Sequence, residues 1–310
     1  MICYLQLIRF KNLLLLVFMQ LVFRYGFLKL NNAELALTDF QFGLLILATI
    51  LLAAGGYVIH AILHQDINLK RENKERIGDF ISENAAYNTY FALNISAVFI
   101  GYYLSNAIQR PSFLVFFILV ATLLYFYSSQ LKFVPVLSAA LVALLSAFSI
   151  VIIGFFDLFP ATDLKNQALM RTYFSILTDY ATMALLIVFI IELIKEIANF
   201  EYNFTAGNKN LAVTIGIKNT KYVVIGLLFI AILLIYNYIN NYLMINNLIF
   251  AAAYGLLFLI APLIYAVIRL FAAKSVTELN HLNFVLKAVV VFGIISVFVI
   301  TKNILYHVTN

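Results

Sequence analysis

Long apolar runs recur along the whole chain, and they restrict its fold more than any other feature. A membrane-spanning helix needs roughly 20 consecutive apolar residues, so the runs predict about nine spans. Lipid offers the backbone no hydrogen-bond partners, and a helix satisfies its own N–H and C=O groups. We therefore predict an all-α, polytopic membrane protein. The runs lie near residues 12–31, 41–64, 88–107, 111–130, 133–157, 172–195, 222–241, 246–271 and 284–305.

Charged residues are too few to cover a water-facing surface of this size. They make up 11% of the 310 residues, against 64% hydrophobic ones, whereas soluble proteins carry roughly 25% charged residues. A single cysteine, Cys3, excludes an internal disulfide and any cysteine-based zinc or iron–sulfur site. No polar stretch is long enough to fold alone, so we predict one membrane domain over residues 1–310.

The lysines and arginines indicate the orientation of the chain. The net charge is +6, but the basic residues lie in short loops and form no patch for nucleic acid. Most fall on one side of the membrane if the N-terminus is cytoplasmic, as the positive-inside rule requires. The first apolar run is then a membrane helix and not a signal peptide. We predict a multi-pass protein of the bacterial inner (cytoplasmic) membrane, with the N-terminus and both long polar loops in the cytoplasm.

Two polar loops carry the candidate functional residues. They cover 65–86 and 196–221, and because each follows an even-numbered span, they lie on the same side of the membrane. Polar groups recur every three or four residues where each loop begins, which places them on one helical face. The first set is His60, His64 and Asn68, and the second set is Glu192, Glu196, Asn199 and Asn203.

With these loops, nearly the whole chain resembles the UbiA superfamily of intramembrane prenyltransferases. The likeness extends to the opening segment 7–13, to 125–132 after the fourth span, and to 206–217 after the second polar set. It implies a UbiA-like bundle of about nine helices. It also implies an enzyme that moves a prenyl group from a prenyl diphosphate to a lipid-soluble aromatic or alcohol acceptor, in quinone or lipid biosynthesis.

The resemblance also implies a metal-dependent site. Two aspartate-rich motifs in the family hold Mg²⁺, which prefers hard oxygen ligands and binds the diphosphate. At those positions this chain has the two polar sets, with Asp66 beside the first. The diphosphate and metal candidates are therefore His60, His64, Asp66, Asn68, Glu192, Glu196, Asn199 and Asn203. Basic residues bind phosphate, and the candidates for phosphate contact are Lys132, Lys195 and Lys209.

The substituted aspartates leave two functions open. In an active enzyme, Asp66 and Glu196, with Glu192 or Glu201, hold one ion with the help of the diphosphate, and Glu196→Gln should abolish turnover. The alternative is a non-catalytic membrane subunit or lipid-binding scaffold that has lost the metal site and has a membrane-protein partner. A transporter ranks last, because no broken helix with paired glycine or proline occurs at matching positions.

His60 and His64 also leave two interpretations open. Their spacing of four residues places both on one helical face, where they can bind a transition metal. The other interpretation is that both line a water-filled cavity.

Overall fold

Helices form nearly all the regular structure of this computed structural model, which describes residues 2–63, 77, 81–130, 134–205 and 207–309. The first half contains α1 (Ile2–Leu7), α2 (Phe10–Leu21), α3 (Asp39–Leu63), α4 (Glu83–Ala107), α5 (Leu114–Ser129) and α6 (Leu137–Ile153). The second half contains α7 (Gln167–Ala198), α8 (Phe200–Thr205), α9 (Leu211–Ile215), α10 (Ile217–Tyr238), α11 (Ile249–Gly255), α12 (Ala261–Ala272) and α13 (Val276–Thr309).

Four short π-helical segments extend or join these helices. The segments are Val22–Leu28 after α2, Gly154–Leu158 after α6, Ile239–Met244 after α10 and Leu256–Ile260 between α11 and α12. Each begins within an apolar run, so the wider turn continues the span. The longer apolar helices therefore keep their length across the change in hydrogen-bond pattern.

The prediction of an all-α membrane protein is confirmed. Among the described residues, 8 helices are long and apolar enough to cross a membrane. They correspond to all the predicted spans except 88–107. That span falls in α4, which has 25 residues and a length of about 37 Å at the usual helical rise. It is not among the eight, and its sequence includes four asparagines, Asn84, Asn88, Asn94 and Asn106.

One compact unit comprises Met1–Gln20, Glu34–Lys132 and Ile152–Thr172. Within it, α3 packs against both α4 and α5. Glycines make this close approach feasible, as small residues do between membrane helices. On α3, a Cβ atom at Gly55 would lie 2.6 Å from Asn94 Nδ2 of α4, and one at Gly56 would lie 2.7 Å from Leu124 Cδ2 of α5.

A second compact unit comprises Leu21–Ala33, Phe133–Val151 and Tyr173–Asn310. An apolar core of this unit is formed mainly by α7, α10, α12 and α13. Fully buried members of that core include Ile190, Leu193, Ile194, Val224, Leu228, Leu263, Leu270 and Leu286. This core fixes the position of the last turns of α7, where the second polar set begins.

Candidate functional site

The second polar set lies where α7 ends. Ile190, Leu193, Ile194 and Ile197 are buried in the core of the second unit, so the polar residues of these turns occupy the remaining face of the helix. Those residues are only half-buried. The amphipathic pattern thus holds the helix against the core and leaves a polar face beside the following loop.

Glu196 joins three separate elements through its carboxylate. Oε1 accepts a hydrogen bond of 3.2 Å from the Ser138 hydroxyl, in the first turn of α6. Oε2 accepts one of 3.0 Å from the backbone N–H of Leu211, the first residue of α9. Both carboxylate oxygens therefore hold protein groups, and the end of α7 is tied to the starts of α6 and α9.

The two neighbouring candidates on α7 pair with each other. Lys195 Nζ lies 2.5 Å from Glu192 Oε1, and the two side chains are 39% and 21% exposed. One turn later, the Asn199 side-chain amide donates to the Lys195 carbonyl at 2.6 Å. The charge of Lys195 is thus balanced within its own helix, which reduces its capacity to attract a phosphate.

Asn203 closes the loop after α8. Its side-chain oxygen accepts from the side-chain amide of Asn208 at 3.2 Å, and the backbone N–H of Asn208 donates to the Asn203 carbonyl at 2.9 Å. Gly207 has a φ of 70°, a left-handed conformation that glycine adopts without strain. Lys209 is exposed between two buried asparagines, Asn208 and Asn210, so its backbone is anchored while its ammonium group faces solvent.

Of the first polar set, only His60 lies within the described residues. It occupies the last turn of α3, and its ring stacks on Tyr127 with centroids 6.0 Å apart and an interplanar angle of 22°. Four other candidates lie outside the described residues, namely His64, Asp66, Asn68 and Lys132. The metal role of the first set therefore stays a prediction.

The described residues of the second set do not fit a magnesium centre. Mg²⁺ requires near-octahedral oxygen coordination and usually one or two carboxylates. Here Glu192 is paired with Lys195, and Glu196 is bonded to Ser138 and Leu211. Nowhere in the described part of the chain do three histidine, cysteine, aspartate or glutamate side chains cluster as metal ligands would. The described side chains at this end of α7 therefore do not form the set of oxygen ligands that Mg²⁺ requires.

Two residues of this hydrogen-bonded arrangement, Asn210 and Ser138, were not predicted from the sequence. Asn210 could have been found, because an asparagine before an apolar helical turn is a typical N-cap. Its side chain does accept from the N–H of Val213 at 2.9 Å. Ser138 had no such signal, since it lies 58 residues before Glu196. Only the packing of α6 and α7 in one unit brings these two residues together.

Solved structures with the same fold were found, although no protein-family model and no curated protein sequence matches the chain. A digeranylgeranylglyceryl phosphate synthase aligns with a TM-score of 0.66 and 19% identity, over 96% of this chain and 97% of its own. A UbiA homolog from Archaeoglobus fulgidus bound to GPP and Mg²⁺ aligns with a TM-score of 0.57 and 14% identity, over 95% and 99% of the two chains.

A third structure, the Archaeoglobus fulgidus UbiA homolog bound to DMAPP and Mg²⁺, aligns with a TM-score of 0.54 and 15% identity. The alignment covers 95% of this chain and 98% of that one. All three likenesses extend over nearly the full length of both partners. The chain therefore has the UbiA-type prenyltransferase fold, as its sequence predicted.

Proposed function

We propose that this protein is an intramembrane prenyltransferase of the UbiA type. In this reaction the bond between the first prenyl carbon and the diphosphate oxygen breaks, and the diphosphate leaves with the bonding electrons. The prenyl carbon then bonds to an aromatic carbon or an alcohol oxygen of the acceptor, which loses a proton. The donor is thus a prenyl diphosphate, and the acceptor is a lipid-soluble aromatic compound or alcohol.

The observation that carries this proposal is the fold likeness along the whole chain. The two Archaeoglobus structures hold GPP or DMAPP with Mg²⁺, and both compounds are prenyl diphosphates. A fold alone does not fix a function. The support is stronger here because the polar loops after the second and sixth spans are the segments at which the sequence resembles the family's own motifs.

Three lysines are proposed to contact the diphosphate, and Lys209 is the best placed of those described. It is exposed, and the buried asparagines on either side hold its backbone. Lys195 is paired with Glu192 and would have to exchange that partner for phosphate. If the first loop holds Mg²⁺, Asp66, which lies beside the first polar set, would supply a carboxylate ligand, and the metal would neutralise charge on the leaving diphosphate.

The surroundings of the reaction are proposed to be a lipid-facing bundle in the bacterial inner membrane. Apolar side chains such as Phe99, Phe229, Leu257 and Phe284 are more than half exposed, as contact with lipid requires. A prenyl chain and a lipid-soluble acceptor would enter from that phase. The polar loops are proposed to face the cytoplasm, following the distribution of lysine and arginine.

Turnover by the purified protein tests the proposal. The full chain in lipid nanodiscs is incubated with geranyl, farnesyl or geranylgeranyl diphosphate and a panel of phenolic and alcohol acceptors. We expect release of pyrophosphate together with a product whose mass has increased by the prenyl group. Absence of both, with every donor and acceptor, in the presence of Mg²⁺ would contradict prenyl transfer.

A non-catalytic membrane subunit is the second candidate function, and one observation favours it. The second set retains a single carboxylate in the family's register, and that carboxylate holds Ser138 and Leu211. In this case the chain would retain the bundle and bind lipid or a membrane-protein partner. Asp66→Asn would then leave the cellular function intact, whereas an active, metal-dependent enzyme would lose it.

A further inference from the structure

We propose that Glu196 closes a loop clasp, and that this clasp keeps the segment after α7 folded without a divalent cation. The loop clasp is defined as Glu196 with its partners Ser138 and Leu211, together with the Asn203–Asn208 pair. The position of Glu196 matches a metal ligand of the UbiA family, so a connecting role for this carboxylate differs from the role in the family. The clasp does not depend on whether the protein transfers prenyl groups.

The geometry of Glu196 is that of a connector between distant segments. Ser138 precedes it by 58 residues and Leu211 follows it by 15. Each partner is at the start of a helix, α6 or α9, and the N–H of Leu211, as the first residue of α9, has no intrahelical acceptor. One carboxylate thus satisfies donors at the ends of two helices, and hydrogen bonds to a charged group are stronger than neutral ones.

The remaining loop residues complete the closure. Asn203 and Asn208 share a side-chain bond of 3.2 Å and a backbone bond of 2.9 Å. Asn210 caps α9 through a 2.9 Å bond to the N–H of Val213. Asn208 and Asn210 are each only 6% exposed, and buried amides of this kind are costly unless they are paired. These bonds are internal to the chain and need no ion.

A carboxylate oxygen that accepts one hydrogen bond still has a lone pair with which it could bind a metal ion. The side chains around Glu196 therefore determine whether it can act as a metal ligand or only links protein segments. A bound Mg²⁺ would need further oxygen ligands close by. The nearest acidic side chain on the same helix face is Glu192, which is paired with Lys195. The oxygen of Asn203 is bonded to Asn208. These neighbouring groups therefore bind protein, and among the described residues no second unpaired carboxylate lies on this face of α7.

The substitution Glu196→Gln distinguishes a carboxylate that links protein segments from one that binds a metal ion. The glutamine amide oxygen can accept from the Leu211 N–H while its amide NH₂ donates to the Ser138 hydroxyl, so both bonds of the clasp persist. A metal ligand, in contrast, loses its negative charge in the same substitution. Glu196→Ala removes both bonds, and Ser138→Ala removes one without touching the carboxylate. Glu201→Ala is the matched control, because Glu201 is an exposed carboxylate in the same segment.

The experiment measures amide hydrogen exchange across residues 208–215 of the full chain in nanodiscs, with either MgCl₂ or EDTA. We expect wild type and Glu201→Ala to exchange at similar rates, Glu196→Gln to exchange only slightly faster because its two bonds are neutral, and EDTA to change none of them. Glu196→Ala should exchange about tenfold faster, which corresponds to about 1.4 kcal/mol. Ser138→Ala should show a smaller acceleration, and it keeps the test informative if Glu196→Ala fails to fold.

Two results would overturn the clasp. The first is Mg²⁺-dependent protection of this segment in wild type that Glu196→Gln abolishes, which would make Glu196 a metal ligand. The second is exchange at the wild-type rate in both Glu196→Ala and Ser138→Ala. Neither result depends on prenyl transfer, so failure of the clasp and failure of the proposed enzyme are distinguishable.

Discussion

Glu196 and Asp157, both in the described part of the chain, each hold segments that are distant in sequence. Glu196 does so at the end of α7. Asp157 does so in the π-helical segment that follows α6, where it is fully buried. Its side-chain Oδ1 accepts from the N–H of Leu37 at 3.1 Å, and its carbonyl accepts from the N–H of Ala36 at 2.9 Å. Asp157 thereby anchors the segment that leads into α3.

Asp157→Ala should destabilise the protein by about 1–3 kcal/mol, because it leaves the buried N–H of Leu37 without this acceptor. Asp157→Asn retains a side-chain oxygen and should cost less. The measurement is the fraction of protein that stays monodisperse in detergent after heating over a range of temperatures. Equal thermal stability of Asp157→Ala and wild type would contradict the anchoring role.

Lys209→Gln should weaken the binding of a prenyl diphosphate on the order of tenfold, the loss expected for one hydrogen bond from a charged donor. Lys218→Gln is the matched control, because Lys218 is also an exposed cation on the same stretch of chain but is not among the phosphate-contact candidates. Titration calorimetry in nanodiscs compares the two variants. Equal affinities would remove Lys209 from the proposed site.

The individual residues of the candidate site were only partly predictable from the sequence. The resemblance to the family's second aspartate-rich motif indicated Glu196, Asn199 and Asn203, and their helical spacing predicted that they lie near one another. Neither source of information could reveal Ser138 as a partner, because a contact between residues 58 positions apart depends on helix packing. The same limit applied to Asp157, whose partner Leu37 is 120 residues away.

Close packing between helices depends on glycine in the first unit. Gly56 faces Leu124 on α5, and a Cβ atom added to this glycine would lie 2.7 Å from Leu124 Cδ2. Gly101 faces Phe117, which is fully buried. A ring held on all sides cannot move aside, whereas the end of a leucine side chain can change rotamer. The two glycines therefore differ in how much an added methyl group would cost.

Gly101→Ala should destabilise the protein by about 1–3 kcal/mol through overpacking against Phe117. Gly43→Ala on α3 is the control, because no atom lies within 4 Å of its added Cβ; alanine should there be neutral or stabilising, since it favours helix. The same heating measurement ranks both variants. A Gly101→Ala protein as stable as Gly43→Ala would contradict the packing of α4 on α5.

The helices themselves were largely predictable, and their irregularities were not. Apolar runs of sufficient length located eight spans directly, because span length follows from bilayer thickness. The pattern of apolar residues did not predict the π-helical segments, such as Val22–Leu28 and Ile239–Met244. An extra residue in a helical turn is stabilised by tertiary contacts. Residues within Val22–Leu28, for instance, pack against α13 and Tyr180.

On the scale of the whole molecule, the fold and the reaction depend on different features of the chain. The UbiA-type fold extends over nearly the full chain, while the second polar set consists of two carboxylates and two amides, namely Glu192, Glu196, Asn199 and Asn203. Fold and reaction can separate in this way, because helix packing depends on apolar faces and catalysis on a few polar side chains. Orientation and substrate binding are therefore the properties to measure on the intact protein.

The proposed orientation places both polar loops in the cytoplasm. In a Cys3→Ser background, a membrane-impermeant maleimide should label Leu164→Cys in intact cells, since Leu164 is 95% exposed and lies on the predicted outer side. Glu201→Cys, also exposed, should be labelled only after the membrane is broken. The reverse pattern would invert the topology and contradict cytoplasmic motifs.

Binding of a prenyl diphosphate to the purified protein tests the central claim most directly. Calorimetric titration of geranyl or geranylgeranyl diphosphate into the full chain in nanodiscs should give saturable binding, and the corresponding prenyl alcohol should bind more weakly because it lacks the charged group. Absence of saturable binding of either diphosphate, with Mg²⁺ and with EDTA, would contradict the proposed prenyltransferase.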